Sequence, residues 1–376
     1  MSLLAGEACS FLAALGVAYL ALAAILVLRF PRDSVGGPAA CPPASILAPL
    51  CGEDGNLRER LMALCRQDCG APLQIVCGVQ DPNDPAVGVV QTVAAELPDA
   101  HIELKVDPRQ SGANRKVSNL LNMAPLARNP LIVIIDSDIL VGPDHLSKVI
   151  GALGRPGVGA VTCLYHGSSG VGIWSTLSAL SINVHFLPSV IVALTFGIAR
   201  PCFGSTIALE RATLDRIGGL WAFKDCLHDD YAIGERLREA GYDVAIPHFS
   251  VRHVCRESSA LALVQNQLRA ARTIRMIRPF AYTASIIAHP MAFAIPAAML
   301  HAAHGFTLLL LALAARLAVC LSVESRFSLS RQTYGLLPFC DLLFLFVYAA
   351  SFFGGRIVWR GTRYRLRSDG TLFQEW

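Results

Sequence analysis

Charged residues are scarce in this chain of 376 residues: only 16% are Asp, Glu, Lys or Arg, whereas 53% are hydrophobic. A soluble domain carries about 25% charged residues. The low charge therefore indicates a membrane protein and excludes a disordered or collagen-like chain. The excess of Lys and Arg over Asp and Glu, 32 − 28 = +4, is too small to favour nucleic-acid binding.

The twelve cysteines contain no C-x-x-C pair. Cys65 and Cys69 have no second pair of metal-ligand type nearby, so a zinc site of the paired-cysteine kind is not indicated. We interpret the cysteines as buried, reduced thiols of a cytoplasmic domain.

Residues 9–28 form a run of 20 uncharged residues, which is long enough to cross a bilayer. Glu7 stands where a secretory signal would carry basic residues, so we interpret the run as an anchor and not as a cleaved signal. Arg29 and Arg32 follow it, and the positive-inside rule predicts that the chain then enters the cytoplasm. Residues 1–32 are therefore a predicted N-terminal transmembrane anchor.

The C-terminal segment 281–355 has three further apolar stretches, and an arginine-rich tail, 356–376, follows it. The positive-inside rule predicts a cytoplasmic tail, which requires an even number of crossings after the catalytic domain. We therefore interpret 281–302, which contains two prolines inside the apolar run, as a re-entrant or interfacial segment. The stretches 305–321 and 334–354 are then the predicted crossings.

Between the membrane segments, residues 41–280 alternate short apolar runs with amphipathic stretches, which is the pattern of β-α-β units and a parallel sheet. The predicted strands are 44–50, 73–80, 101–106, 131–135 and 158–163. The predicted helices between them are 55–68, 85–97, 116–127 and 143–153. In such sheets ligands bind at the carboxyl ends of the strands, so we expect the functional residues there.

Residues 171–199 are apolar enough to resemble a transmembrane helix. A single crossing there would separate the acidic residues at 136–138 from those at 229–230, which the chemistry below requires in one site. We therefore interpret 171–199 as an interfacial or lipid-facing segment that offers a lipid a route from the bilayer.

Asp136-Ser137-Asp138 follows the predicted strand 131–135 directly. Two carboxylates one residue apart at the carboxyl end of a strand form an oxygen site for Mg²⁺ or Mn²⁺. Such a metal would neutralise the diphosphate of a nucleotide sugar. The pattern alone is also typical of a turn or a helix N-cap, but the strand before it and the other acidic residues favour the functional interpretation.

Asp81 ends the predicted strand 73–80, where its carboxylate would accept a hydrogen bond from a base or a ribose hydroxyl of a nucleotide. Asp84, which precedes a proline, is more typical of an Asx turn. Asp230 begins a predicted amphipathic helix and would be the general base that takes a proton from an acceptor hydroxyl. Its neighbour Asp229 is then the predicted N-cap of that helix.

Two basic positions complete the candidate site. Lys116 lies in a loop that leads into a helix, where a cation suits a diphosphate; a solvated lysine is the alternative. Arg269, Arg272 and Arg275 recur at every third position of a helix that leads towards the membrane. This face could bind a diphosphate or anionic lipid headgroups, and a basic interfacial helix is the alternative.

Together these motifs resemble glycosyltransferase family 21, the ceramide glucosyltransferase type of GT-A glycosyltransferase, over nearly the whole chain. The run at 271–275, ARTIR, is similar to the bacterial hopanoid-biosynthesis glycosyltransferases. The segments that carry the resemblance are SILAPLCG (45–52), VQD (79–81), SGANRKVSNL (111–120), DSD (136–138), PCFGS (201–205), GG (218–219), DDY (229–231) and RYRLR (363–367).

The resemblance implies an α/β GT-A catalytic domain with a Rossmann-like parallel sheet, joined to α-helical transmembrane segments. It implies inverting transfer of a single sugar from UDP-N-acetylglucosamine or UDP-glucose to a membrane lipid, a hopanoid polyol or ceramide. Asp81 would bind the uridine, and Asp136 and Asp138 would bind Mg²⁺ or Mn²⁺ and, through it, the UDP-sugar. Asp230 would be the catalytic base and Arg269 would assist at the diphosphate. The implied location is a bacterial inner membrane, multi-pass, with the catalytic domain cytoplasmic.

The chain departs from the family's [Q/R]-x-x-R-W motif, because Asn266 stands first and Ala270 replaces the tryptophan. Ala48 stands where the family often has lysine. Two alternatives follow. A processive polysaccharide synthase would need a translocation channel, which the marginal apolar stretches fit poorly. A catalytically impaired protein that binds nucleotide sugar or lipid is suggested by Ala270, and the retained acidic residues argue against it.

Overall fold

The computed structural model describes residues 2–32, 41–53, 56–300, 302–354, 356–359, 362–366 and 372–374. Its strands are β1 (Ala44–Pro49), β2 (Leu73–Val79), β3 (His101–Val106), β4 (Leu131–Ile134), β5 (Ile139–Leu140), β6 (Val158–Thr162), β7 (Leu164–Ser169), β8 (Ile207–Glu210), β9 (Asp243–Ala245), β10 (Ser250–Cys255), β11 (Arg356–Trp359), β12 (Thr362–Leu366) and β13 (Leu372–Gln374).

The described residues form fourteen α-helices, of which the second to the fifth match the four helices predicted in the first half of the catalytic domain. They are α1 (Ser2–Arg29), α2 (Leu57–Cys65), α3 (Ala86–Glu96), α4 (Arg115–Met123), α5 (His145–Leu153), α6 (Ile173–Ser181), α7 (Leu187–Thr195), α8 (Arg211–Arg216), α9 (Asp229–Glu239), α10 (Ala260–Ile277), α11 (Pro279–Ala284), α12 (Met291–Leu300), α13 (Ala302–Phe327) and α14 (Leu337–Ser351).

The central sheet has seven strands in the order β3-β2-β1-β4-β8-β6-β9. The five predicted strands are β1, β2, β3, β4 and β6, and the first four pair in parallel. The sheet is nevertheless mixed, because β8 is antiparallel to both β4 and β6. The chain re-enters the sheet at Gly204, beside the Asp136 carboxylate at the carboxyl end of β4, so β8 has to run the opposite way.

The central strand β4 is buried on both faces, which explains its continuous apolar run. Leu131 and Val133 pack into one hydrophobic cluster with residues of α2, α3 and α5. Ile132 and Ile134 face the opposite way and pack with residues of α4 and α9. Each such side chain contributes about 1.5–3 kcal/mol on full burial, so these two layers hold the end of β4 in place.

A small second sheet, β5-β10-β7, braces the loop after β4. The strand β5 starts immediately after Asp138 and pairs antiparallel with β10, with His253 opposite Ile139. The main-chain N–H of Val254 donates to the carbonyl of Asp138 at 2.8 Å. The loop that carries the two aspartates is therefore held between the central sheet and β10.

Among the described residues, four helices are long and apolar enough to cross a membrane: Ala5–Arg29, Ile173–Thr195, His304–Phe327 and Tyr334–Ser351. The proline-containing stretch predicted to be re-entrant is broken, because Pro279–Ala288 and Met291–Leu300 meet at an angle of 52°. Such a bend fits either a broken crossing or a re-entrant loop.

The segment predicted to be interfacial forms one helical run, Ile173–Thr195, with a π-helix at Ile182–Phe186. Both of its ends return to the catalytic domain, since β7 precedes it and β8 follows it. It also packs along α1 and α13. Its position in the membrane interface stays a prediction.

The arginine-rich tail forms a three-stranded antiparallel sheet, β11-β12-β13, where the structure describes it. Arg360 and Arg367 of the predicted basic tail lie outside the described residues.

Candidate active site

A cleft of about 200 Å³, open to solvent, lies at the carboxyl ends of β1 and β4. Five of the six residues predicted for the site line it together: Lys116, Asp136, Asp138, Asp230 and Arg269. These residues come from the loop after β4 and from α4, α9 and α10. The cleft therefore has the place in the sheet that the strand pattern predicts.

Asp81, the sixth residue, lies apart from this lining, exposed in the turn after β2. Its carboxylate accepts the main-chain N–H of Asn83 at 2.9 Å, which is an Asx turn. Asp84 also forms the Asx turn predicted for it, since its carboxylate accepts the N–H of Ala86 at 2.9 Å. Uridine binding by Asp81 stays a prediction.

Asp136 and Asp138 both reach the cleft, and about a third of each side chain is exposed, 32% and 34%. The Asp136 carboxylate lies 2.7 Å from the Lys116 ammonium group. The Asp138 carboxylate lies 3.5 Å from Nε2 of His253. Burial on its own would raise the pKa of Asp138, but His253 and Arg256 lower it below its ordinary value. Asp138 is therefore ionised at neutral pH.

Lys116 lies in the first turn of α4, which Asn114 caps by accepting the N–H of Val117 at 3.1 Å. Its ammonium group lies 2.7 Å from Asp136 and 3.2 Å from Asp229, and its side chain is only 14% exposed. Burial would lower the pKa of Lys116, but the surrounding carboxylates raise it well above its ordinary value. The alternative of a solvated lysine is therefore wrong.

Asp229 was predicted to cap α9, but His228 takes the N-cap position of this helix. The Asp229 side chain is buried and turned to Lys116 at 3.2 Å, while it accepts from the amide of Asn114 at 3.3 Å. The attraction between Asp229 and the buried Lys116 ammonium group outweighs an N-cap hydrogen bond, because water can replace that hydrogen bond at the exposed end of a helix. Asp229 thus belongs to the charge network of the cleft.

Asp230 is held by two main-chain donors. Its Oδ2 accepts the N–H of Gly204 at 2.9 Å, and its Oδ1 accepts the N–H of Tyr231 at 2.8 Å. Burial and then the charge of Asp229 raise the pKa of Asp230 to about 6. A carboxylate with a raised pKa is a stronger proton acceptor, so Asp230 has the properties of a general base.

Arg269 is separated from the other two arginines of its predicted face. It donates to the Asn266 side chain at 2.8 Å and lines the cleft. Arg272 instead donates to the carbonyl of Phe353 at 2.8 Å, and Arg275 lies over the Phe352 ring. Only Arg269 therefore faces the cleft, while the other two bind the end of α14.

Three further residues of the site were not predicted as site residues, although Gly204 lies in the segment PCFGS (201–205) that carries the family resemblance. Gly204 approaches Asp230 from the start of β8, and His253 approaches Asp138 from β10. Nδ1 of His228 lies 4.0 Å from the Asp230 carboxylate, and burial lowers the pKa of His228 to about 4, so the ring is neutral. Gly204 and His253 reach the site through strand pairing between distant segments, which no local pattern reveals.

Gly204→Ala is expected to lower catalytic turnover by about 10²-fold, because small displacements of catalytic groups have large kinetic effects. A Cβ at this position would lie 2.6 Å from a carboxylate oxygen of Asp136 and 3.1 Å from the Lys116 ammonium group. Turnover of the purified variants measures the effect. Gly88→Ala is the matched control, since its added Cβ meets nothing within 4 Å. Equal turnover of both variants would contradict this packing.

The site and sheet together define the class of protein: a GT-A glycosyltransferase. The mannosyltransferase PcManGT from Pyrobaculum calidifontis, solved in complex with GDP-Man and Mn²⁺, has the same fold at a TM-score of 0.55. It is 19% identical, and the match covers 94% of this chain and 99% of that one. At this identity the similarity concerns the fold.

The chain belongs to glycosyl transferase family 21, whose family model matches residues 8–372. It is 22% identical over 276 residues to ceramide glucosyltransferase 1 of Caenorhabditis elegans, which is 73% of this chain and 58% of that protein. It is 28% identical over 145 residues to the ceramide glucosyltransferase of Komagataella phaffii, 37% of this chain and 28% of that protein. The chain thus spans little more than half of the first relative. The predicted family and enzyme class are confirmed.

Proposed function

We propose that this membrane glycosyltransferase moves a single sugar from UDP-glucose or UDP-N-acetylglucosamine to a hydroxyl of a membrane lipid, with inversion. The observation that carries the proposal is the position of Asp230, a partly buried carboxylate with a raised pKa in the same cleft as Asp136 and Asp138. A proton acceptor thereby lies across one cleft from the groups that suit a diphosphate. The family membership and the apolar helices support a lipid acceptor.

In this mechanism Asp230 takes the proton from the acceptor hydroxyl as the hydroxyl oxygen attacks the anomeric carbon of the sugar. Gly204 and Tyr231, through their main-chain N–H groups, fix the orientation of the Asp230 carboxylate. The C–O bond to the diphosphate breaks on the opposite face of the sugar, so the configuration inverts. Arg269 supplies positive charge at the departing UDP.

The donor set fits a divalent metal completed by the substrate. No group of three or more His, Cys, Asp or Glu is arranged around a metal within the part of the chain that the structure describes. Mg²⁺ is commonly bound by one or two carboxylates together with substrate phosphates, and Asp136 and Asp138 offer such a pair. Mg²⁺ or Mn²⁺ held there would supply Lewis-acid stabilisation to the diphosphate.

The membrane arrangement proposed together with this function has the segment boundaries predicted from the sequence. Residues 1–32 and 281–355 lie in the membrane, and the GT-A domain, 41–280, faces the cytoplasm of a bacterial inner membrane. The segment 171–199 borders the bilayer and leads the lipid to the cleft. Its tie to the catalytic domain at both ends supports this position.

The test is an array of assays with two labelled donors, UDP-glucose and UDP-N-acetylglucosamine, against two acceptors, ceramide and bacteriohopanetetrol. Each is run with Mg²⁺, with Mn²⁺ and with chelator. The proposal expects label in one lipid and its loss with chelator. Label in neither lipid with either donor would overturn it.

The catalytically impaired protein remains the second candidate, because Ala270 follows Arg269 where the family has tryptophan. It predicts UDP binding without transfer to any acceptor. The processive alternative predicts a polymer and not a lipid with one sugar.

Turnover is expected to fall as the pH falls through about 6. The base has to be deprotonated, and burial with the Asp229 charge raises the pKa of Asp230 to about 6 from its ordinary value. Initial rates between about pH 5 and pH 8 measure this limb. UDP binding over the same range is the control, because burial also raises the pKa of Asp136, which would affect the donor. A rate independent of pH here would contradict Asp230 as the base.

A further inference from the structure

Two interruptions of the apolar helices, each with a proline, leave main-chain carbonyls without their usual helical partners. Pro188 follows Val184 by four residues and has no N–H, so the carbonyl of Val184 lacks its α-helical donor. The chain forms the π-helix Ile182–Phe186 at this point. Pro290 lies at the 52° bend, where the N–H of Ala292 donates to the carbonyl of His289 and not to that of Ala288, its usual α-helical acceptor. Free carbonyls of this kind are costly within a bilayer.

Arg316 binds both of these carbonyls. Its Nη1 donates to the carbonyl of Val184 at 2.7 Å and its Nη2 to the carbonyl of Ala288 at 2.6 Å. Its Nε lies 2.7 Å from the carboxylate of Asp341 on α14. The Arg316 side chain is only 1% exposed. One arginine of α13 thereby joins the π-helix, the bent pair of helices and α14.

Two histidines extend this group, which we call the Arg316 cluster: Arg316, Asp341, His185 and His289. Nε2 of His185 lies 2.9 Å from the Asp341 carboxylate. The rings of His185 and His289 stack with centroids 5.1 Å apart. His185 belongs to the π-helix and His289 to the bend, so the cluster connects the two interruptions a second time.

An aromatic contact leads from the π-helix to the catalytic base. Phe186, the last residue of the π-helix, stacks on Tyr165 at 4.7 Å and meets Phe203 edge-on at 5.6 Å. Phe203 directly precedes Gly204, whose N–H donates to Asp230 at 2.9 Å. The position of the π-helix therefore affects the position of Asp230 through these contacts.

We propose that Arg316 and Asp341 are positioning residues for catalysis: they fix the π-helix so that Phe186 holds Phe203 and Gly204 against Asp230. This inference rests on the proposed function only for the expected change in kcat, whereas the expected change in hydrogen exchange does not depend on it. Charged residues in apolar helices are rare and commonly mark functional sites. Buried ion pairs are weak contributors to stability when compared with apolar replacements, so stability alone does not account for the pair.

The test combines hydrogen exchange with kinetics on Arg316→Met in the full chain. Because the Gly204 amide is bound to Asp230, its exchange reports the contact directly. We expect this exchange to accelerate by about tenfold and kcat to fall by about tenfold, while KM for the donor stays within about twofold. Exchange in β1 and β2 should stay unchanged.

The matched control is Arg326→Met. Arg326 is also buried on α13 and also donates to main-chain carbonyls, those of Phe30 at 2.6 Å and His248 at 2.8 Å. These two hydrogen bonds reach the residue after α1 and the loop before β10, and the guanidinium group lies over the rings of Phe30 and Phe327. We expect normal Gly204 exchange in this variant, whatever its thermal stability.

Phe186→Leu tests the middle of the connection, because it keeps the Arg316 cluster and removes the stacking on Tyr165. It should accelerate Gly204 exchange and lower kcat as Arg316→Met does. If Arg316→Met fails to fold, Arg316→Lys and Phe186→Leu decide the question. Unchanged Gly204 exchange in these variants, or equal acceleration in Arg326→Met, would overturn the proposal. If the wild type transfers no sugar, the exchange difference still stands, so failure of the proposed function is seen separately.

Discussion

Asp230→Asn is expected to lower the rate of sugar transfer by about 10²–10⁴-fold, the range that positioned general bases contribute. The amide has the shape of the carboxylate, so one of the two main-chain N–H groups, that of Gly204 or that of Tyr231, keeps an acceptor oxygen, but the other loses its acceptor and the proton acceptor is lost. Affinity for UDP should change little, because Asp136, Asp138 and Arg269 remain. Single-turnover rates and UDP titrations of the same preparation measure the two quantities.

Glu239→Gln is the control for this variant. It makes the same carboxylate-to-amide change at the other end of α9, on a side chain that is 69% exposed. Its transfer rate should equal that of the wild type. A near-normal rate in Asp230→Asn would show that another group takes the proton, and the neutral imidazole of His228 would be the first to test.

Lys116→Met is expected to destabilise the catalytic domain by about 3–5 kcal/mol, the range for removing one partner of a buried ion pair. The ammonium group is the cation that lies against Asp136 and Asp229, and its loss leaves the buried Asp229 and the partly exposed Asp136 to repel one another. Turnover should fall with stability. Denaturant unfolding measures the first effect. Mn²⁺ should restore more stability to this variant than to the wild type, because a divalent ion replaces the missing charge.

Lys148→Met is the matched control. Lys148 pairs with Asp144 one helical turn away on the surface, where such pairs contribute at most about 1 kcal/mol. Equal destabilisation by the two substitutions would contradict the role of Lys116 as the charge that holds the cleft together.

The strands and the position of the site follow from local patterns, because continuous apolar runs form buried strands and polar residues end them. Asp136 and Asp138 were recognisable for this reason. The antiparallel direction of β8 was not recognisable from the sequence, since it depends on where the chain returns to the sheet after the long helical segment between β7 and β8. The pairing of Lys116 with Asp229 was equally hidden, because the two residues are far apart in sequence and meet only through the packing of α4 against α9.

The membrane helices show the same division. Pro188 and Pro290 mark interruptions in the apolar stretches that can be read directly from the sequence. The partners of the freed carbonyls could not be read, because Arg316 lies on a different helix from both prolines. A lone arginine in an apolar stretch indicates that a polar partner exists, but only tertiary packing identifies it.

The most direct measurement is the mass and the linkage configuration of the labelled lipid made from an α-linked UDP-sugar, with Asp230→Asn in parallel. The account predicts a lipid that carries one β-linked sugar with the wild type and almost none with the variant. An α-linked product, a polymer, or UDP binding without any labelled lipid would contradict it.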